Sequence, residues 1–237
     1  MKTLTAIIPV YNEEVYIHRC LENVLAVKLK GYELEVIIMD DGSTDNSLAI
    51  ARTFESQPNV HVFSKSRNQG KGAVILEGLQ YATGDVIIIQ DADLEYDPDD
   101  YSEILKKYAD PQVDAVYGSR ILGATLFHHH NSNYLFYLGG RLLTACVNIA
   151  FGTELTDQPT GYKSWRSTLN KHIVRNCKQP GFDFEIELTW LLSRLTTILE
   201  VPTHYYPRSP GHGKKITFFD FLLSLKMIVS CRLRALV

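Results

Sequence analysis

The chain has 237 residues, 45% hydrophobic and 22% charged, with a formal net charge of −3. That is enough apolar material for one large globular domain, alone or with an appendage, and it excludes wholesale disorder. A general nucleic-acid binder needs a basic surplus that this acidic balance lacks, so no nucleic-acid partner is expected. Cys20, Cys146, Cys177 and Cys231 stand far apart and form no C-x-x-C pair. They are expected to be reduced thiols of a cytosolic protein, with no disulfide framework and no zinc site. The opening MKTLTAIIPVYNEE runs directly into a strand and an acidic helix, which is not the pattern of a signal peptide.

The first half alternates strand-like and helix-like segments. Leu4–Val10 is an apolar strand, and Asn12 is placed to cap a helix reaching Val27, with Glu13 and Glu14 suiting its dipole. Leu34–Met39 is a second strand, followed by Asp40-Asp41-Gly42-Ser43-Thr44 and a helix to about Glu55 capped by Ser43 or Thr44. Val60–Ser64 is a third strand, and a helix over Gly72–Ala82 follows the glycine-rich Asn68–Gly72. Asp85–Gln90 is a fourth strand, ending in Asp91-Ala92-Asp93. A helix over Asp99–Tyr108 and a strand over Asp114–Gly118 complete the pattern. Near-continuous apolar strands alternating with helices predict an α/β fold with a mostly parallel sheet buried on both faces.

The second half changes character. Gly123–Asn133 is loop-like and contains His128, His129 and His130, whose adjacency favours a solvated loop over a metal site. Tyr134–Phe151 is almost wholly apolar, broken by Arg141, Thr144 and Asn148 on one helical stripe. An irregular stretch carries Asp157–Tyr162, then Gly181–Leu199 is expected as a helix, Val201–Tyr206 as a strand and Arg208–Lys215 as a basic loop. The tail from Ile216 to Val237 is apolar with a narrow polar stripe. Neither apolar segment is an uncharged run of the ~20 residues that span a bilayer, so both are expected to be buried or to lie in a membrane interface.

Ligands of parallel α/β sheets bind beyond the carboxyl ends of the strands. Three clusters sit there: Tyr11-Asn12-Glu13, Asp40-Asp41 and Asp91-Ala92-Asp93. Paired carboxylates after a buried strand can hold a hard divalent cation that bridges substrate phosphates, and Glu95 offers another oxygen. A lone D-x-D is as readily a turn former or helix cap. Three clusters in order on successive strands weigh against that plainer account.

The ordered set IIPVYNE (7–13), IIMDDGSTDNS (37–47), NQGKG (68–72) and GDVIIIQDADLE (84–95) resembles the nucleotide-sugar-binding half of family 2 glycosyltransferases, the inverting GT-A fold. No G-x-x-x-x-G-K-[ST] occurs, nor a G-x-G-x-x-G after the first strand, which disfavours P-loop and Rossmann nucleotide sites. Further on, GSR (118–120), DQPTGYKSWR (157–166), GFDFEIEL (181–188) and YYPRSPGHGKKITFFD (205–220) are similar to the polyprenyl-phosphate branch, typified by dolichyl-phosphate mannose and glucose synthases. The resemblance implies one GT-A domain over 1–215, with 1–120 the nucleotide-sugar half and 121–215 the acceptor half, and an apolar, basic C-terminal helix over 216–237.

It also implies roles. Pro9, Tyr11, Glu13, Asp41, Lys71, Asp91 and Ala92 would bind a GDP- or UDP-sugar. Asp91, Asp93 and Glu95 would hold Mg²⁺ or Mn²⁺, with Glu95 standing where many relatives have Gln. Arg120, Arg141, Arg208 and Lys214 would hold phosphates, since a guanidinium matches phosphate oxygens with paired hydrogen bonds. Asp157, Arg208 and Asp93 would serve catalysis. A polyprenyl phosphate is already anionic near neutral pH, its second pKa being ~6, so Asp157 would orient groups rather than take a proton. The implied product is a polyprenyl-phosphate hexose, mannose or glucose, made on the cytoplasmic face by a peripheral protein, alone or with a membrane-anchored partner subunit. A soluble glycan acceptor, which would need a true general base, and a non-catalytic nucleotide-sugar-binding scaffold remain as alternatives.

Overall fold

The computed structural model describes residues 1–127, 134–208 and 218–234. Ile7, Ile8, Ile37, Ile38, Ile87 and Ile88 are all fully buried, because each lies on a strand covered on both faces. The first half runs β1 (Lys2–Val10), α1 (Ile17–Ala26), β2 (Tyr32–Asp40), α2 (Ser47–Arg52), β3 (Val60–Ser64), α3 (Lys71–Gly78), β4 (Val86–Ile89), α4 (Tyr101–Lys107) and β5 (Ala115–Ser119). There follow α5 (Arg120–Phe127), α6 (Tyr134–Phe151), β6 (Lys163–Arg166), α7 (Asn170–Asn176), α8 (Phe184–Leu195), β7 (Ile198–Pro202) and α9 (Phe218–Leu233). The seven strands form one sheet in the order β3-β2-β1-β4-β6-β5-β7. Only β6 runs antiparallel to its neighbours β4 and β5.

Alternation along the strands splits the core in two. Leu4, Ala6, Ile8, Val36, Ile38, Val86 and Ile88 face α1 and α4, meeting Cys20, Leu21, Tyr101 and Ile104. Ile7, Ile37, Met39, Ile87 and Ile89 face the other way, toward α3, α8 and α9. Met227, Ile228 and Cys231 of α9 are buried in that second core, and α9 packs on both α6 and α8. Among the described residues, no helix is long and apolar enough to cross a membrane.

Several local expectations are corrected. Helix α1 begins at Ile17, because Asn12 adopts a left-handed φ of 56° and its Oδ1 accepts from the Thr44 N–H. Asn12 therefore ties two loops together instead of capping a helix. Likewise α2 starts after Asn46, and the Ser43 and Ser47 hydroxyls accept from the Asn12 and Glu13 N–H groups. Part of the expected loop at 123–133 is helical, continuing directly from β5 as α5. The polar-looking Lys163–Arg166 is a central strand with Trp165 fully buried, and α7 follows it. Strand β7 begins at Ile198, inside the expected long helix, which ends at Leu195.

Candidate active site

The ends of β1, β2 and β4 open on one edge of the sheet, and their loops are laced together. Pro9, next to last in β1, pairs with Met39, and Tyr11 is partly exposed just beyond the strand. Asp41 is buried and accepts from Gln69 N–H and Gly70 N–H, both at 2.7 Å. Its carboxylate thus shapes the 68–72 loop. Gly70, at φ 101°, brings that loop against the Pro180 carbonyl, where a side chain would collide.

Asp91, Ala92 and Asp93 form the turn after β4. Leu94 has a left-handed φ of 62°, an uncommon conformation for a branched residue, and it lets Glu95 N–H donate to Asp93 Oδ1 at 3.1 Å. Asp91 Oδ1 lies 2.6 Å from Lys71 Nζ, which lies 2.7 Å from Glu185 Oε1. Glu185 Oε2 in turn pairs with Lys163 Nζ at 3.1 Å, and Lys163 also donates to the Thr160 carbonyl. Charges alternate along this chain, which lets it sit largely out of water, with Lys163 fully buried. Burial alone would lower the Lys71 pKa, but Asp91 and Glu185 outweigh it and raise it. Burial would likewise raise Glu185, yet Lys163 and Lys71 pull it down to about 2. Lys163 stays lowered, since burial exceeds the help of Glu185. A side chain at Gly161 would strike Asp91 Oδ2, so backbone approaches the aspartate closely there.

Asp93 is held differently. Arg208 places its guanidinium 2.6 Å from Asp93 Oδ2 and 3.3 Å from Glu13 Oε2, with Tyr16 beneath it at 5.4 Å. Glu95 anchors the same segment: its carboxylate accepts from Arg208 N–H at 3.0 Å and Tyr205 O–H at 2.9 Å, and its carbonyl from Tyr206 N–H. Burial first, then the Asp91 and Glu95 charges, push Asp93 up to about 7 against the pull of Arg208.

Asp157 forms a third site at the other side of the strand ends. It is buried, and Arg120 grips both its oxygens, Nε to Oδ2 at 2.7 Å and Nη2 to Oδ1 at 2.8 Å. The Arg120 N–H adds a bond to Oδ2, and Arg120 stacks over Tyr205. Glu200 accepts from Thr156 and Asp157 N–H groups and so fixes the loop. Arg141 Nη1 donates to the Thr156 carbonyl at 3.3 Å, while Thr144 and Asn148 bond Gln158 N–H and the Leu155 carbonyl. The polar stripe of α6 therefore faces the protein. On a flanking face α6 exposes Leu138, Leu142 and Ile149, and the neighbouring α9 exposes Leu222, Leu223, Val229 and Leu233.

Glu13, Lys71, Asp91, Asp93, Glu95 and Arg208 are thus brought together around one turn, with Arg120 and Asp157 in a separate pair nearby. Lys214 and His128–His130 lie outside the described residues. Glu185, Lys163 and Glu200 were not singled out for the site by sequence reasoning. Glu185 stands out in sequence only as part of the GFDFEIEL run, and Lys163 carries no local signal because its partner is 22 residues away. Among the described residues no three His, Cys, Asp or Glu side chains already converge as a metal cage. Asp91 and Asp93 nevertheless fit a cation that takes one or two carboxylates and completes its shell with substrate phosphates. Glu13, Asp91, Asp93 and Glu95 face Lys71 and Arg208, and the Glu185–Lys163 pair adds nothing net.

Comparison with known proteins places this geometry. Residues 5–186 match the family model described as glycosyl transferase family 2. An undecaprenyl-phosphate 4-deoxy-4-formamido-L-arabinose transferase of Shewanella sediminis (strain HAW-EB3) is 29% identical over 217 residues. The match covers 89% of this chain and 61% of that protein, so the chain spans under two thirds of this curated relative's length. In structure, the chain resembles glucosyl-3-phosphoglycerate synthase from Mycobacterium tuberculosis. Its complex with Mn²⁺, uridine diphosphate and phosphoglyceric acid matches with TM-score 0.72 at 18% identity, over 99% of this chain and 80% of that one. Its complex with Mg²⁺ and uridine diphosphate matches with TM-score 0.70 at 18% identity, over 97% and 79%. At that identity the likeness establishes the fold, GT-A. With the family model covering most of its length, the chain belongs to glycosyl transferase family 2.

Proposed function

We propose that the protein transfers a sugar, a hexose such as mannose or glucose, with inversion from a GDP- or UDP-sugar to a polyprenyl phosphate. The observation that carries this reading is the state of Asp157. A sugar hydroxyl acceptor needs a carboxylate free to take its proton, whereas Asp157 is buried and gripped at both oxygens by Arg120. A phosphate monoester is already anionic near neutral pH and needs no such base. The acceptor named for the Shewanella relative, undecaprenyl phosphate, supports the same choice.

The donor's nucleotide would lie along Pro9, Tyr11, Glu13 and the Asp41-shaped loop, with Lys71 and Ala92 beside its diphosphate. Asp91 and Asp93 would hold Mg²⁺ or Mn²⁺, which when bound relieves the charge of the departing diphosphate. Arg120 keeps Asp157 oriented, and Arg141 ties α6 to the same loop. The phosphate-binding roles of Arg120, Arg141, Arg208 and Lys214 follow from bringing together two phosphorylated substrates that repel each other.

The exposed apolar stripes of α6 and α9 would meet the membrane that holds the isoprenoid tail, making the protein peripheral on the cytoplasmic face, with or without a membrane-anchored partner subunit. The basic residues Lys226 and Arg232 accompany these stripes, each worth ~1 kcal/mol at an anionic surface. The test is to incubate the protein with Mn²⁺, a panel of UDP- and GDP-sugars and a short polyprenyl phosphate. Mass spectrometry should find one lipid-phosphate sugar, absent in EDTA. No product from any donor, or undiminished product in EDTA, overturns the reading.

A further inference from the structure

We propose that Arg208 is a resident counter-ion of the Asp93 carboxylate, and that Arg208 and a divalent cation hold Asp93 in mutually exclusive states. The proposal rests on the metal reading above and goes beyond it, because it assigns a state of the site before any substrate arrives.

The two oxygens of Asp93 have different partners. Oδ1 accepts from Glu95 N–H at 3.1 Å, a bond set by the left-handed turn at Leu94. Oδ2 lies 2.6 Å from Arg208 Nη2, the contact distance of a charge-assisted hydrogen bond. A cation taking Oδ2 would meet a guanidinium, and like charges at that distance repel. One must leave.

The fold decides which group yields on the protein side. Lys71 is fixed between Asp91 and Glu185, which is itself held by Lys163, so Lys71 has two anionic partners in the interior. Arg208 hangs from a main chain anchored independently of its guanidinium. Arg208 N–H donates to Glu95 Oε1, Tyr205 O–H to Glu95 Oε2, and Tyr206 N–H to the Glu95 carbonyl. Tyr96 and Tyr205 add a bridge between the same two segments. The side chain can therefore swing away while its backbone stays in place. Glu95 suits this anchoring role, since both carboxylate oxygens accept a donor, whereas a Gln there could offer only one acceptor oxygen.

A consequence is an order of binding. While Arg208 pairs with Asp93 and Glu13, its charge is internally matched and offers little to an incoming phosphate. Once Asp93 is taken by a cation, the guanidinium is released but still tethered at the site, where it can grip the acceptor's phosphate. Donor with cation would bind first and the phosphorylated acceptor second.

Titration of the full-length protein with Mn²⁺, followed by the electron paramagnetic resonance of free Mn²⁺, tests the exclusion. Arg208→Ala should bind Mn²⁺ about tenfold more tightly than wild type, the scale of one lost charge-assisted competitor. Equal or weaker binding overturns the proposal. Wild-type protein that binds no Mn²⁺, with or without UDP, overturns the metal reading and the proposal together. A second measurement needs no variant. Trypsin reads an extended basic side chain in an acidic pocket, so cleavage after Arg208 should accelerate when Mg²⁺ is added to wild type. Unchanged or slower cleavage there contradicts release, and a merely electrostatic effect of the substitution would not produce acceleration.

Discussion

Asp91 and Asp93 stand two residues apart on one turn, yet their charges are matched from different parts of the molecule. Asp91 meets Lys71 at the start of α3, backed by Glu185 of α8 and Lys163 of β6, in a chain of alternating charges sunk below the strand ends. Asp93 meets Arg208, the last described residue before position 218, on a segment fastened through Glu95. The interior chain is built to persist, because removing one buried charge strands the next. The Arg208 contact is built to be exchanged, because its backbone anchors survive the loss of the guanidinium. The same chemistry, a carboxylate beside a cation, gives rigidity in one place and a replaceable ligand in the other.

The interior chain offers the largest effect. Glu185→Gln leaves Lys71 and Lys163 facing each other without their shared carboxylate, and should cost about 3–5 kcal/mol of stability at pH 7. The sign with pH follows from the depressed Glu185 pKa of about 2. Between the ordinary carboxylate range and about pH 2 the unfolded chain binds a proton at this position that the folded chain does not. Wild type therefore loses stability as pH falls through that window and the variant loses less, so the gap should narrow on acidification. Urea unfolding of both proteins at pH 7 and pH 3.5 measures it, and a gap that widens in acid would refute the assignment.

Next in size is Asp93→Asn, which keeps shape but removes a hard ligand. Turnover should fall by roughly 10²- to 10³-fold, the scale of several kcal/mol of charge relief at a leaving diphosphate. Arg208→Ala should have a smaller and more selective effect, raising the KM for polyprenyl phosphate by about tenfold with little change in that for the donor. Comparable losses for both substrates would remove the contrast between the two aspartates. The smallest effect on stability belongs to the surface. Ile149→Asp on the exposed stripe of α6 should change stability by no more than ~0.5 kcal/mol, yet reduce flotation with anionic vesicles. Unchanged flotation would exclude this stripe from the membrane contact.

The parallel half of the fold was legible because its strands are continuous apolar runs and its turns carry aspartates and glycines with few alternatives. Leu4–Ile8, Val36–Met39 and Val86–Ile89 are buried throughout. The second half was less legible because its central strand carries charge. Lys163 and Trp165 are both fully buried in β6, and nothing nearby in sequence explains how a lysine can sit there. The answer lies on α8, where Glu185 points inward while Glu187 accepts from Lys178 and Gln179 N–H groups and pairs with Arg234. The α6 stripe taught a similar lesson. Arg141, Thr144 and Asn148 marked a polar face correctly, but a periodicity cannot say whether that face meets water or a loop full of carbonyls and N–H groups. The Asp91–Asp93 turn was found by its position after a buried strand, whereas the Arg208 contact joins positions 115 residues apart and has no pattern to betray it.

The central claim is that the acceptor is a phosphate, so that no residue need act as a strong base. It is tested most directly by offering the protein, with Mn²⁺ and its working donor, a polyprenyl phosphate and the unphosphorylated polyprenol of equal length. Mass spectrometry of both mixtures gives the answer. The engaged state of Asp157 predicts a glycosylated product from the phosphate and none above background from the alcohol. Equal use of the alcohol would contradict it.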